Sequence, residues 1–404
     1  MLVLSAPIYY ALELTPVCNN CCPGCGNVFA HNRAPLSASC WQHILERIAP
    51  HVQVLKLTGG EPTLHPQFES IIHTVAELDL PFTLFTNARW TDPEKFIGLL
   101  TSALQCVGLL VSLHGADETD HEAFTGHPGS FEETTTNISR AVQAGLRVHV
   151  STVITRWNWN RVREIAQLGQ GLGARHMVFN RYIGPKNSQL EPDDDQLLAA
   201  IASIGSLQRK GLPVKFGNCI PQCFVDNSSR GCWAGRAYCT IDPWGNMRPC
   251  SHSPLVVGNV LERPIEELWH SEKMNHWRAL LPVECKQCSE FFSCQGGCRA
   301  MIEIRQSARD PLATQPLQDY NRAPREMVLF RGAHPTLSCT IKSDHFGYAL
   351  IRGESLYPVP NSAKLLLEAL DGQNTLEEIL DRFGQEALNL TGVLYEQGLI
   401  ELLQ

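Results

Sequence analysis

The chain has 404 residues, 44% of them hydrophobic and 18% charged, with a formal net charge of −8. That is the make-up of a globular protein with room for about two or three cores. The acidic balance argues against nucleic acid as a partner, since phosphate binding needs a basic face, and no apolar run approaches the ~18 residues of a membrane helix.

The N-terminus, "MLVLSAPIYYALELTP", has no basic n-region and carries Pro7 and Glu13. It reads as a first strand and not as a signal peptide, so a cytoplasmic location is expected. Sixteen cysteines are then the anomaly. In a reducing compartment they suit metal ligation or redox chemistry better than a disulfide framework. They are bunched, four at 18–25, five at 219–250 and four at 285–298, with Cys40, Cys106 and Cys339 apart. Cys40 and Cys106 suit small buried hydrophobes. The first bunch, "CNNCCPGCGN", can be parsed as two C-x2-C pairs in a zinc-like grammar. It can equally be parsed as Cys18-x3-Cys22-x2-Cys25, three thiols with Cys21 left over.

Residues 8–216 alternate strand and helix. "YYALEL", "VQVLKLT", "FTLFTN", "VGLLVSLHG", "RVHVSTVIT" and "HMVFNRYI" are rich in β-branched and aromatic residues. Amphipathic stretches lie between them, such as "SASCWQHILERIA", "PQFESIIHTVAELD" and "SFEETTTNISRAVQAG", the last opening on an expected Ser130/Glu133 capping box. Six β-α units with near-continuous apolar strands predict a parallel sheet covered by helices, open or closed into a barrel. Ligands of such sheets sit at the C-terminal strand ends, where the cysteine loop lies. From about 217 to 304 the chain becomes short, cysteine-rich loops, and 305–326 is polar and linker-like. From 327 the strands "LSCTIK", "YALIRG" and "SLYPVP" precede helices "NSAKLLLEALDG" and "TLEEILDRFG" and a helical stretch at about 385–398. Thr375 and Glu378 form a second expected capping box.

Three thiolates would hold an iron–sulfur cubane and leave one iron open, where four are usual. Cys18-x3-Cys22-x2-Cys25, just after the first strand of a β/α domain, resembles the radical S-adenosylmethionine (SAM) superfamily. The resemblance implies that SAM chelates the open iron and is cleaved by one electron to a 5′-deoxyadenosyl radical, which takes hydrogen from substrate. A second match follows strand two. In "LTGGEPTLHP", Gly59 and Gly60 allow close backbone approach, Glu61 can accept from an ammonium and Pro62 stiffens the turn. This is similar to the family's GGEP motif. Thr86 and Asn87 in "FTN", and Ser112 in "VSLHG", resemble positions that contact SAM. Asn158 in "TRWNWN" is a further candidate against an ordinary loop cap, and His114 is a weak candidate for substrate contact.

"CWAGRAYCTIDPWGNMRPC" contains Cys232-x12-Gly245-x4-Cys250, and "CKQCSEFFSCQGGC" gives Cys285-x2-Cys288-x5-Cys294-x3-Cys298. The pattern resembles the SPASM extension of radical SAM peptide-maturing enzymes, which carries auxiliary 4Fe–4S clusters. The resemblance implies one auxiliary cluster on Cys232, Cys250 and Cys298, with Cys223 as fourth ligand ahead of Cys219 and Cys239. It implies a second on Cys285, Cys288 and Cys294. Family members usually close the second with a cysteine after an Asp-Pro step, but "RDPLATQ" has Ala313 there. Cys339 reaching back, a carboxylate (Asp310 or Asp319) and an open iron are the alternatives. The tail resembles a PqqD-like module that binds peptide leaders. Residues 361–404 carry two basic and eight acidic side chains, which disfavours a DNA-binding winged helix.

The expected architecture is therefore α/β. It comprises a partial (β/α)6 TIM-type radical SAM barrel (1–216), a cysteine-rich SPASM region with linker (217–326) and a small winged-helix-like leader-recognition domain (327–404). The implied function is modification of a ribosomally made precursor peptide, by cross-linking, epimerisation or tyramine excision. The implied cofactors are SAM and 4Fe–4S clusters, one binding SAM and two auxiliary. The implied partners are the precursor through its leader and an electron donor such as flavodoxin or ferredoxin, with room for a separate recognition-element protein. No nucleic acid and no membrane are expected. The sequence leaves two other classes open: a non-radical iron–sulfur scaffold that binds a peptide, and a zinc protein with a peptide-binding tail. On the three-thiol parse, Cys21→Ser leaves reductive SAM cleavage near wild type while Cys22→Ser abolishes it, measured as 5′-deoxyadenosine after anaerobic reconstitution. Equal loss in both would restore the paired parse.

Overall fold

The computed structural model describes residues 2–26, 33–187, 189–225, 231–314, 330–353 and 355–403. The chain falls into two compact units, Met1–Tyr320 and Asn321–Gln404. The first begins with strands β1 (Tyr9–Glu13), β2 (Val54–Thr58), β3 (Phe82–Thr86), β4 (Cys106–Ser112), β5 (Val148–Ile154), β6 (His176–Arg181) and β7 (Val214–Phe216). Helices α1 (Ala38–Ile48), α2 (Phe68–Glu77), α3 (Pro93–Ser102), α4 (Glu118–Thr125), α5 (Ser130–Gln143), α6 (Val162–Gly171) and α7 (Asp194–Arg209) connect them. All seven strands pair in parallel and in sequence order. A doubly wound sheet reverses its order at a switch point. An unreversed order curls the sheet as in a TIM barrel, and here it stays open.

The strands are not apolar on both faces. β2, β3 and β5 alternate buried and half-buried residues. Leu55, Leu57, Phe82, Leu84, Leu109, Val111, Val150 and Phe179 pack into the main core with Trp41, Ile44, Ile71 and Ile165 of the helices. On the opposite row Lys56, Ser112, Ser151 and Asn180 are only half buried, and Asn180 Nδ2 donates to Ser151 Oγ at 3.0 Å. The near-continuous apolar character read from the sequence holds for β1, which is buried along its whole length. The sheet is covered by helices on one face, and the other lines the open interior.

One local signal turns out differently. The cap of α5 is Gly129, at φ +81°, with no side-chain cap. Ser130 Oγ pairs with Thr125 Oγ1, and Glu133 pairs with the guanidinium of Arg89, so the expected capping box does not form. A box does open α7, from Asp193 and Gln196.

The cysteine-rich stretch continues the same sheet. β8 (Tyr238–Ile241) pairs in parallel with β1, and β9 (Asn246–Arg248) and β10 (Gly258–Asn259) follow antiparallel. Gly245 turns the β8–β9 hairpin at φ +84°, while the Asp242 carboxylate accepts from Trp244 N and Asn246 N at 2.9 Å each. The glycine counted in the sequence spacing is therefore a backbone requirement. Helices α8 (Ile265–Trp269), α9 (Glu272–Arg278), α10 (Phe291–Cys294) and α11 (Arg299–Arg305) follow. Two buried ion pairs join this stretch to the parallel strands. Glu13 of β1 pairs with Arg248 of β9. Arg181 of β6 grips Asp310 in bidentate fashion at 3.0 and 2.6 Å.

The second unit holds β11 (His334–Leu337) paired with β15 (Ile400–Leu403), and an antiparallel sheet of β12 (Thr340–Asp344), β13 (Gly347–Arg352) and β14 (Ser355–Pro360). "LSCTIK" is thus not one strand: it leaves one sheet at Leu337 and enters the other at Thr340. Helices α12 (Lys364–Ala369), α13 (Leu376–Phe383) and α14 (Gln385–Glu396) pack Leu366, Leu367, Ile379 and Leu394 on Leu350 and Val359. The Thr375/Glu378 capping box is present. Among the described residues no helix is long and apolar enough to cross a membrane.

Past β4, His114 and His121 are buried beside Phe124. Burial, then mutual repulsion, lowers His114 from 6.5 to about 3, and burial, then Arg89, lowers His121 to about 4. Both bind protons more readily unfolded than folded, so their contribution is intact above pH 6.5 and is lost as pH falls towards 4. Thermal melts between pH 7 and pH 5 should show a loss of about 2 kcal/mol from His114 alone, and His114→Gln should flatten that slope. Asp310→Ala strands the Arg181 guanidinium and should cost about 3–5 kcal/mol in anaerobic urea unfolding. Asp310→Asn, which keeps the acceptor oxygen, should cost less.

Candidate functional site

The loop after β1 is held by backbone. Gly60 N donates to Thr15 O and Glu61 N to Val17 O, each at 2.7 Å. Gly59 sits at φ +149°, and a Cβ there would lie 2.6 Å from Thr15 O; one at Gly60 would lie 2.2 Å from Val17 O. Real side chains cannot take such contacts. The two glycines first serve to dock the turn after β2 against the residues that lead into Cys18.

Glu61 is fully buried and its carboxylate is already occupied. It accepts from Thr63 N, Thr63 Oγ1, Thr86 Oγ1 and Asn87 N, the last at 2.7 Å. Those contacts tie the exit of β2 to the exit of β3, with three donors on Oε1 and one on Oε2. Burial raises its pKa, and the four donors oppose that. Asn87 carries the tie onward, donating from Nδ2 to Asn19 Oδ1 at 2.7 Å and to Cys18 Sγ at 3.8 Å. Arg89, which the sequence reading passed over, donates to Asn19 O and Asn20 Oδ1 and pairs with Glu133. An arginine directly after a strand-end "TNA" is the signal that was available.

Cys18 and Cys25 are exposed and Cys22 is half buried. Burial, then the charge of Cys25 and Cys18 nearby, push the Cys22 thiol up to about 12. Cys22 packs with Phe124, Tyr182 and Leu190. Cys21 instead donates its N–H to Thr125 O, with its Cβ against Gly126. Ser112 ends β4 beside Ser151 of β5. Thr86 Oγ1 is occupied by Glu61, Ala88 N and Trp90 Nε1. Asn158 is a loop cap: Oδ1 accepts from Thr155 N and Nδ2 donates to His114 O and Val153 O. His114 Nδ1 accepts from Val153 N, so its role is structural at that nitrogen.

The remaining thiols form two groups, and their membership differs from expectation. Cys219, not Cys223, lies with Cys232, Cys250 and Cys298. Hydrogen bonds from Cys219 to Cys232 and Cys298 hold those two thiols low and its own high. Cys223 lies instead in a pocket with Cys285, Cys288 and Cys294, and Ala313 is in the wall of the same pocket. Cys239 is buried in the main core on β8. Asp310 is committed to Arg181 and to the N–H groups of Cys298 and Leu312. Cys339 packs on the core of the second unit, and Asp319 lies outside the described residues. The two thiol regions approach each other, since a Cβ on Gly26 would lie 2.8 Å from His252 Nε2.

The first of these groups suits an anionic cluster. Arg181, Arg236 and Arg299 are buried beside its thiols. Arg236 Nη1 has no hydrogen-bond partner among the described residues, and burial lowers that guanidinium to about 9. Buried cations favour negative charge beside them, and four thiolates around a cubane would supply it. No group of three His, Cys, Asp or Glu among the described residues is arranged for a single metal ion.

Comparison with known proteins agrees with this arrangement. The radical SAM superfamily matches residues 12–169, and the SPASM iron–sulfur cluster-binding domain matches 232–294. An AdoMet-dependent heme synthase of Methanosarcina barkeri is 25% identical over 328 residues, 73% of this chain and 92% of its own. A PqqA peptide cyclase of Methylobacterium nodulans is 26% identical over 380 residues, 89% of this chain and 98% of its own. The fold resembles Streptococcus suis SuiB bound to precursor peptide SuiA, with a TM-score of 0.64 and 17% identity over 77% of this chain and 76% of that one. The chain thus carries a radical SAM domain over residues 12–169 and a SPASM iron–sulfur cluster-binding domain over 232–294, with SAM and 4Fe–4S clusters as the cofactors.

Proposed function

We propose that this radical SAM enzyme modifies a ribosomally made precursor peptide. The observation that carries the reading is the alignment with the PqqA peptide cyclase, which spans 89% of the chain and so extends into the second unit. The M. barkeri heme synthase aligns with 73% of the chain and makes a tetrapyrrole the second substrate class to test.

Cys18, Cys22 and Cys25 hold the SAM-binding cluster, and the backbone of residues 59–62 with Asn87 and Ser112 borders the place where SAM lies. When bound, the cluster and SAM supply a 5′-deoxyadenosyl radical for hydrogen abstraction. The chain's own part is positioning. Glu61 and Thr86 fix the two strand exits, Asn87 and Arg89 fix the cysteine loop, and the half-buried row of Lys56, Ser151 and Asn180 borders the space beside it. Cys219, Cys232, Cys250 and Cys298 hold one auxiliary cluster. The second unit holds the leader by adding it to a sheet edge, which raises the effective concentration of the core peptide. β12 is one such edge, with Ile341 exposed. A flavodoxin or ferredoxin supplies the electron, and the reaction is cytoplasmic.

The test is anaerobic reconstitution with SAM, dithionite and a precursor encoded beside this gene, read by mass spectrometry. A mass change in the core peptide, together with 5′-deoxyadenosine, is expected, and the leaderless peptide should react at least ~10-fold more slowly. Turnover of a tetrapyrrole with the peptide untouched would overturn the substrate class. No 5′-deoxyadenosine with either would overturn the enzyme reading.

A further inference from the structure

Resting on the iron–sulfur reading, we propose that Cys223 is the fourth thiolate of the second auxiliary cluster, joining Cys285, Cys288 and Cys294, and that this cluster has no iron open to substrate. All four thiols line one pocket. The sequence pattern left that set one thiol short, because Ala313 stands where a downstream cysteine was expected. The structure puts Ala313 in the pocket wall, so the site lacks a donor on that side and gains one from the segment that precedes the SPASM motif.

Two contacts hold Cys223 there independently of any cluster. Thr314 Oγ1 donates to Cys223 O at 3.0 Å, which ties the segment after Ala313 to the backbone of the substituting cysteine. Gln222 N donates to Cys294 Sγ at 3.5 Å, which ties the residue before it to another thiol of the set. Pro221 O accepts from Phe224 N at 3.0 Å, so the chain turns sharply between Cys219 and Cys223. One short segment, "CIPQC", thus delivers Cys219 to one thiol group and Cys223 to the other.

Three competing donors are committed elsewhere. Asp310 spends both oxygens on Arg181. Cys219 belongs to the other group and Cys239 to the main core. Glu284 and Glu290 border the pocket and remain as the carboxylate alternative. Cubanes are held by four thiolates, each losing its proton on ligation. A set closed by Cys223 leaves no coordination position for a substrate donor, so direct ligation of the peptide by this cluster is excluded.

The test reads the metal, not peptide modification. In a full-length Cys18→Ala/Cys22→Ala/Cys25→Ala chain, which lacks the SAM-binding cluster, reconstitution should give about eight irons per chain. Adding Cys223→Ala should lower this to about four, or leave a three-iron cluster visible by EPR after oxidation. Adding Ala313→Cys as well returns a thiol to the same pocket and should restore about eight, which a folding defect would not allow. Full iron with an unchanged EPR spectrum in the Cys223→Ala chain overturns the proposal. So does failure of Ala313→Cys to restore iron, or an equal loss in Glu284→Gln or Glu290→Gln. Uptake of zinc in place of iron by the unsubstituted chain would instead overturn the iron–sulfur reading beneath it.

Discussion

The buried carboxylate of Glu61 is the constraint on which the site depends. A fully buried carboxylate is stable only when its lone pairs are met by donors, and Glu61 takes four, from Thr63, Thr86 and Asn87. Those donors come from two strand exits, so satisfying one charge fixes the ends of β2 and β3 against each other. Asn87 and Arg89 then pass that rigidity to Asn19 and Asn20 within the cysteine loop. Gly59 and Gly60 complete the arrangement, because only residues without Cβ allow the turn to approach Thr15 and Val17 so closely. The segment from Cys18 to Cys22 has no helix or strand of its own, and this hydrogen-bonded frame holds it.

A second buried pair, Arg181 with Asp310, does the equivalent task between the parallel sheet and the cysteine-rich stretch. Its two parallel hydrogen bonds give direction as well as charge, and the same carboxylate accepts from Cys298 N at 2.7 Å. The bridge therefore orients one thiol of the group that includes Cys219, Cys232 and Cys250. Arg181, Arg236 and Arg299 are buried around that group, and buried cations are stabilised by negative charge nearby. Their presence makes sense beside a cluster with anionic ligands, and it links the stability of this region to cofactor loading.

The two regions are also continuous in a plainer way. β8 pairs with β1 along Tyr9 to Leu12, so the strand preceding Cys250 is part of the sheet whose first strand leads to Cys18. Gly26, just after Cys25, lies against His252, just after Cys250. Replacing the glycine by a residue with a Cβ would press on that imidazole, which is one physical reason for glycine there. An auxiliary cluster carried on an extension of the barrel sheet is held at a fixed place relative to the first.

The sequence by itself determined the alternating β/α order, the place of the cysteine loop at a C-terminal strand end, the GGEP turn beside it and the bunching of the later thiols. These are local: spacing, turn chemistry and periodicity follow from short-range sterics and hydrogen bonding, as the Thr375/Glu378 box shows. The tertiary structure decided what depended on residues far apart in the chain. Glu133 was drawn from a cap to Arg89 because a buried guanidinium attracts a carboxylate more strongly than a helix N-terminus does. Glu61 became a tie between strands, and Asn158 a loop cap, because burial demanded partners for their polar atoms. Cys219 and Cys223, four residues apart, were indistinguishable by spacing. The turn at Pro221 sent them to different thiol groups, and only the packed structure could say which went where.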